Sequence, residues 1–371
     1  AKDASAFGTA LQFMSTVMGR LPADAFAANY RVALDCYLEA AEAELLNGRN
    51  GEAIALITAA EPHVVDVLDR CRLGELKVLV YRMMDNFSAA FETGQSLLKV
   101  LGVAIERFPT EERLHEELAA TIDAIGGLRM EDLAELPPMT DPLPIAACRI
   151  LQEMWSVGFF LGSLSMHVSA MKIVQISAQH GNVVASVFGY MIYAFAQSFF
   201  FGDIEEGYQT GLVAMEQYDR LQCREIGAKV LDMWGGLIQH NKEPIRACRE
   251  TLRRGFTIGM EVGDYQWAGY CGTNHSFQSL LGDTSLSEAA ASVDRFMPAL
   301  RDYTQNTTYL HLIVREAVAS LAEDKPDPLS FTGAFCDEKR LLEFGQQLND
   351  LNVLFHFYLP KLAVAVLFGV T

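Results

Sequence analysis

Residues 180–203, HGNVVASVFGYMIYAFAQSFFFGD, residues 221–242, LQCREIGAKVLDMWGGLIQHNK, and residues 262–283, VGDYQWAGYCGTNHSFQSLLGD, decide the fold. Each stretch opens on a short turn, runs through an apolar helix and closes on a second turn, near Gly202, Asn241 or Gly282. The openings recur at a fixed interval: 222 − 181 = 41 and 263 − 222 = 41. After each closing turn comes an amphipathic second helix, IEEGYQTGLVAMEQY (204–218), EPIRACRETLRRGF (243–256) and SLSEAAASVDRFMPAL (285–300). Two antiparallel helices cannot bury an apolar face alone, so successive pairs must stack and share a core.

That reading extends outward along the chain. Helix, polar turn, helix recurs in residues 30–57 and in residues 76–103, while alternating strand patterns are almost absent. The expected fold is all-α, an irregular tetratricopeptide-like helix-turn-helix superhelix, an α-α solenoid, right-handed and with a period longer than the usual roughly 34 residues. Pro137, Pro138, Pro142 and Pro144 forbid a continuous helix there. The expected organisation is an N-terminal helical-repeat block at 1–136, a proline-rich connector at 137–144 acting as hinge or irregular junction, and a C-terminal block at 145–323 with units of about 41 residues. A loop at 324–337 and terminal helices at 338–371 follow, with Pro360 expected to kink the last helix or begin a new one.

Composition narrows the functional classes. Half of the 371 residues are apolar, so a large core is expected. Twenty-nine Lys and Arg against 47 Asp and Glu give a net charge of −18, which opposes attraction to nucleic acid or to an anionic membrane. The uncharged stretch Val183 to Phe201 is long enough for a bilayer, but Ser186, Gln197 and Ser198 inside it and Asp203, Glu205 and Glu206 after it favour a buried helix. Seven scattered cysteines without a CxxC pair read as small core residues in a reducing, cytoplasmic compartment. The non-Met start and a stop just after an apolar run point to a piece of a longer chain.

The strings DCYLEAAEAELLNGRNGEAIALI (35–57), YRMMDNFSAAFETGQSLLKVLGV (81–103), LRMEDLAELPPMTDP (128–142) and FFFGDIEEGYQTGLVAMEQYDRL (199–221) resemble the helical-repeat region of very large signalling kinases. Those proteins join a protein-kinase-like domain, a STAND-class AAA ATPase and a tetratricopeptide-like array to GAF and histidine-kinase output domains. The resemblance spans most of residues 23–369, carried by element order and by the helix Glu39 to Gly48, and is loose at His240-Asn241-Lys242 and at Asp324 to Cys336. It implies a non-catalytic interaction, scaffold or ligand-sensing region that regulates a kinase or ATPase housed elsewhere.

The chemistry-bearing residues agree. No P-loop, kinase, GxGxxG, GxSxG or HExxH motif is present, so no catalytic, cofactor or metal residues are assigned. Cys271 and His275 share a helix face, but half a zinc site reads better as a buried thiol beside a hydrogen-bonded imidazole. Glu111-Glu112, Glu116-Glu117 and Glu205-Glu206 read as solvated faces of amphipathic helices. Most aromatics belong to the core. Trp234, Trp267 and Tyr270, with His275 beside them, are expected on the concave face of successive first helices as anchors for a protein partner, either a peptide segment or a neighbouring domain; a small-molecule signal is a further expected ligand. Two alternatives stand beside this reading, a free-standing repeat adaptor and an α-helical enzyme with an unrecognised site.

Overall fold

A computed structural model describes residues 7–282, 284–300, 305–323, 325, 327–347 and 351–370. Asp283, Asp324 and Pro326, assigned to turns from sequence, lie outside the described residues, as do the ends of the two terminal blocks. The described residues form nineteen α-helices and one isolated β-bridge, so the fold is all-α. They fall into two compact units, residues 1–189 and residues 190–371. The proline-rich connector therefore lies inside the first unit, and the units part within a helix.

The first unit runs through α1 (Phe7–Met18), α2 (Ala25–Ala28), α3 (Tyr30–Leu46), α4 (Asn50–Ala60), α5 (Val67–Met83), α6 (Phe87–Val100), α7 (Glu111–Ile125), α8 (Met130–Ala134), α9 (Pro142–Phe160) and α10 (Ser165–His180), and into α11 (Val184–Phe199). α3 packs on α4 and α5 on α6, the pairs expected at 30–57 and 76–103, and α9 packs on α10, a pair the sequence reading did not name. Local chemistry sets the starts: side-chain oxygens of Asn29, Asp66, Asn86, Thr110 and Asp141 accept from backbone N–H groups two or three residues on. Residues 137–141 are non-helical, as their prolines require, but they are strapped rather than loose. Asn182 N donates to Pro137 O (2.8 Å), Met139 N to Asn182 O (2.8 Å), and Asn182 Nδ2 to Leu133 O (2.7 Å). Gly181 makes this possible, because a Cβ there would lie 2.2 Å from Pro137 O.

The second unit continues α11 and adds α12 (Ile204–Leu221), α13 (Gly227–Met233), α14 (Ile245–Val262), α15 (Tyr265–Leu281), α16 (Leu286–Leu300), α17 (Gln305–Ala322), α18 (Glu338–Gln347) and α19 (Leu351–Leu367). The first helices α13, α15, α17 and α19 pack each on the next, while α14 and α16 cover α13 and α15. At the three openings spaced by 41, Gly181 (φ +96°), Gln222 (φ +51°) and Gly263 (φ +85°) all have positive φ, which ends the preceding helix, Gln222 and Gly263 in the left-handed helical region and Gly181 with an extended ψ. α13 passes into a π-helical turn, Trp234–Ile238, which the helical periodicity does not reveal. α19 runs through Pro360 without starting anew. No helix of the described residues is long and apolar enough to cross a membrane.

Candidate interaction site

Trp234 and Trp267 correct the sequence expectation. They are only 4 % and 6 % exposed. Trp234 sits on the π turn, its ring 5.3 Å from Tyr208 and so close to Gly211 that a Cβ there would come within 2.5 Å of the indole. Trp267 follows the cap of α15, whose Asp264 accepts from its N–H, and its ring meets Tyr270 at 5.6 Å. Tyr270 packs against the cluster of Leu310, Ile313 and Phe331 on the far side of α15. His275 turns toward α16 instead, where Nδ1 lies 2.8 Å from Ser292 Oγ and the ring meets Phe296 edge-on at 5.1 Å. Burial, with the nearby Arg249, Arg295 and Arg253, pulls this imidazole down to about 4. Trp267 and Tyr270 thus meet each other, while Trp234 and His275 serve other seams, and the four do not line one groove. The reason is geometric: a first helix inside a stack is covered by its own pair and by the next first helix, so large side chains on either side become core.

Between α13 with its π turn and α15 runs a polar seam that sequence reasoning missed. Asn274 Nδ2 donates to Asp232 Oδ1 (3.0 Å), the Cys271 thiol to Ala228 O (3.5 Å), and Gln278 Nε2 to Gly235 O (2.8 Å). Asp232 is buried, and burial pushes it up to about 7 against the opposing pull of the Asn274 and Cys271 hydrogen bonds. The Cys271 thiol is raised well above its ordinary range by burial and by Asp232. Cys271 and His275, four residues apart, therefore face different helices. One signal was available: Gly235-Gly236 lets α15 approach, since a Cβ on Gly236 would lie 2.8 Å from the Asn274 amide.

Beyond this seam, buried Glu316 of α17 holds the loop before α18, accepting from Phe335 N (3.2 Å) and pairing with Lys325. Arg315 lies over the Phe335 ring at 4.4 Å. Glu117, read from sequence as part of a solvated face, is also buried, with Lys172 (2.6 Å), Gln175 (2.6 Å) and Arg113 (3.1 Å) around it. Glu111, Glu112, Glu205 and Glu206 do stand in first turns of helices.

Two surface features remain open. A cleft of about 450 Å³ lies between α12 and α14, where Arg253 pairs with Glu250, Arg254 with Asp219, and Arg224 with Glu261. Its arginines are already matched by carboxylates. The other is a mostly apolar groove of about 510 Å³, lined by Leu329 and by Phe355, Tyr358, Leu359, Lys361, Leu362 and Ala365 of α19. Phe355, Leu362 and Val366 are 59 %, 60 % and 67 % exposed, a stripe at helical spacing facing outward. Among the described residues no group of His, Cys, Asp and Glu is arranged to hold a metal ion, and the described cysteines are free thiols.

No family model matches the chain, and no curated protein matches it. Among solved structures it is similar to a signal transduction ATPase with numerous domains, carrying a tetratricopeptide repeat sensor, from Pyrococcus horikoshii. Identity is 15 %, the alignment covers 97 % of this chain and 49 % of that one, and the TM-score is 0.45. The chain thus spans about half the length of that protein.

Proposed function

We propose that the chain is a non-catalytic interaction and regulatory region, in which a stack of helix pairs presents a docking face to other protein. The observation that carries this reading is α19: a first helix packed on α17 whose opposite side is an outward stripe of large apolar residues. A contiguous exposed apolar face of this kind marks a protein contact more often than a chemical site. The perturbed groups Asp232, Cys271 and His275 support the same reading, because each is engaged in helix–helix packing. The sequence resemblance to signalling-kinase repeat regions supports service to a STAND-type ATPase or kinase, in a cytoplasmic, reducing setting. A free-standing adaptor is the second reading, favoured by the same face of α19, which needs no attached ATPase to act.

The full reading frame and its output activity test this. Where the frame encodes a nucleotide-binding domain, Phe355→Glu with Leu362→Glu should change ATP turnover severalfold while the far-ultraviolet circular dichroism stays unaltered. Unchanged turnover contradicts the regulatory reading, and a frame without Walker or kinase motifs leaves the adaptor. Hydrolysis of ATP by this chain alone would contradict both.

A further inference from the structure

Independently of α19, we propose that the trough between α14 and α16 binds a phosphoryl dianion, a phosphate or a phosphomonoester, gripped between Arg249 of α14 and Arg295 of α16 beside the His275 ring. The two helices both pack on α15 and meet each other at one end, where the Phe256 and Phe296 rings lie 4.6 Å apart. Toward the other end Arg249 reaches the last turn of α15, since a Cβ on Gly282 would come 3.2 Å from its Nη1. Between these points α15 forms the floor with His275 and Ser279, four residues apart and so stacked on one helix face. His275 is half-buried, so the floor meets solvent at its ring. Ser292 of α16 stands beside it, Oγ 2.8 Å from Nδ1, and Arg295 follows one turn on from Ser292.

Charge sets the ligand. Asp294, the carboxylate next to Arg295, turns to Arg315 of α17 (3.3 Å), and no carboxylate among the described residues pairs with Arg295. Arg253 is held by Glu250, Nε to Oε2 at 2.9 Å. The charged groups acting on the imidazole are Arg249, Glu250 and Arg253 of α14 and Arg295 of α16, while α15 carries no Asp, Glu, Lys or Arg. Three guanidinium groups against one carboxylate leave the trough positive inside a chain of −18. After burial, these arginines are what holds the ring down to about 4. Like charges gathered this way repel one another, and a dianion set between them removes the repulsion.

The donors suit a tetrahedral group. Guanidinium forks on opposite walls each match a pair of phosphoryl oxygens. Nδ1 faces Ser292 and Ser279, so Nε2 is the ring nitrogen left to meet the ligand. Binding and protonation are then linked: a dianion in the trough raises the pKa of the ring, and a protonated ring tightens the dianion by the same factor.

The test follows the His275 ring in the whole chain by nitrogen-15 NMR, identified by its loss in His275→Gln, at constant ionic strength in chloride, in sulfate and in inorganic phosphate. Sulfate stays doubly charged across the pH range used, so it reports the linkage without titrating itself. The expected result is a His275 midpoint about one unit higher in sulfate than in chloride. Arg295→Gln should weaken binding of sulfate and of phosphate about tenfold, while Arg254→Gln, on the α12 side of α14, should leave both unchanged. The circular dichroism of each variant should match that of the natural chain. Equal midpoints in sulfate and chloride overturn the proposal, as does equal binding by the Arg295→Gln chain. At neutral pH, inorganic phosphate and a tripeptide carrying phosphoserine separate the sources of the group. Preference for either supports the site, and binding of neither overturns it. None of these readouts involves α19, so failure here is distinguishable from failure of the docking reading.

Discussion

In the first unit, buried carboxylates that join helices meet cations; in the second, the seam between α13 and α15 is joined by neutral groups. Asp69 of α5 accepts from both guanidinium nitrogens of Arg31 (2.9 and 3.1 Å) and from Tyr30 OH (2.9 Å), tying α5 to α3. Glu117 of α7 ties that helix to α10 through Lys172 and Gln175. Glu75 pairs with Arg149 at 2.5 Å, yet burial outweighs that guanidinium and raises it to about 7. In the second unit Asp232 meets an amide and a thiol, Gln278 a backbone carbonyl, and His275 a hydroxyl. Buried charge needs a partner to offset desolvation, whereas a protonated carboxyl or an amide does not. The Asp69 and Glu117 junctions are thus sensitive to removal of a charge and the α13–α15 seam to pH, while Glu75, also raised to about 7, gives the first unit a pH-sensitive junction of its own.

The largest expected effect lies where apolar packing, not polar pairing, holds the second unit. Trp267→Ala should cost about 3–5 kcal/mol by leaving a cavity, measured by urea denaturation. A loss below about 1 kcal/mol would mean the indole is not core and would revive the aromatic groove. Next comes a matched pair that can break the comparison. Asp69→Asn should cost about 2 kcal/mol, since it removes the charged acceptor of Arg31 and Tyr30, whereas Asp232→Asn at pH 7 should stay within about 1 kcal/mol. Equal losses would erase the distinction between the two seams.

pH sharpens it further. Asp232 has a folded pKa of about 7, above its ordinary value, so the folded state holds this proton more tightly than the unfolded chain. Its contribution is complete below about pH 4 and is lost as pH rises through 7. His275, held down to about 4, acts in the opposite direction: its contribution is present above about pH 6.5 and is lost as pH falls toward 4. In thermal melts the Tm of Asp232→Asn minus that of the natural chain should therefore climb from pH 4 to 7 and then level. His275→Gln should flatten the acid limb. A pH-independent difference for Asp232→Asn would show that this carboxyl is ionised throughout.

The smallest effect concerns the repeat itself. Gln222 holds a left-handed conformation where Gly181 and Gly263 stand in the equivalent turns. Gln222→Gly should stabilise by roughly 0.5–1 kcal/mol. Destabilisation would mean that the Gln222 side chain, which donates to Asp219 O, matters more than backbone strain.

Much of this was legible in the sequence. The turns at 181, 222 and 263 and the alternation of apolar first helices with amphipathic second helices depend on local chemistry, and local chemistry is written in neighbouring residues. What covers each face of a helix is not. The concave-face assignment of Trp234 and Trp267 failed because periodicity identifies an apolar stripe without naming the helix that packs on it. Glu117 looked solvated because Lys172 and Gln175, its partners, lie more than fifty residues away. The division of the chain inside α11 escaped notice since a helix apolar on all sides carries no local mark of a boundary. The π turn was hidden in the same way: Gly235-Gly236 was visible, but not the approach of Asn274 that gives it a purpose.

The most direct test of the account is native-state hydrogen–deuterium exchange of the whole chain. The amides of α13 and α15 around the buried Trp234 and Trp267 should exchange far more slowly than those of the outward stripe of α19, because their seams are already closed. Exchange around Trp234 and Trp267 as fast as that on α19 would contradict it.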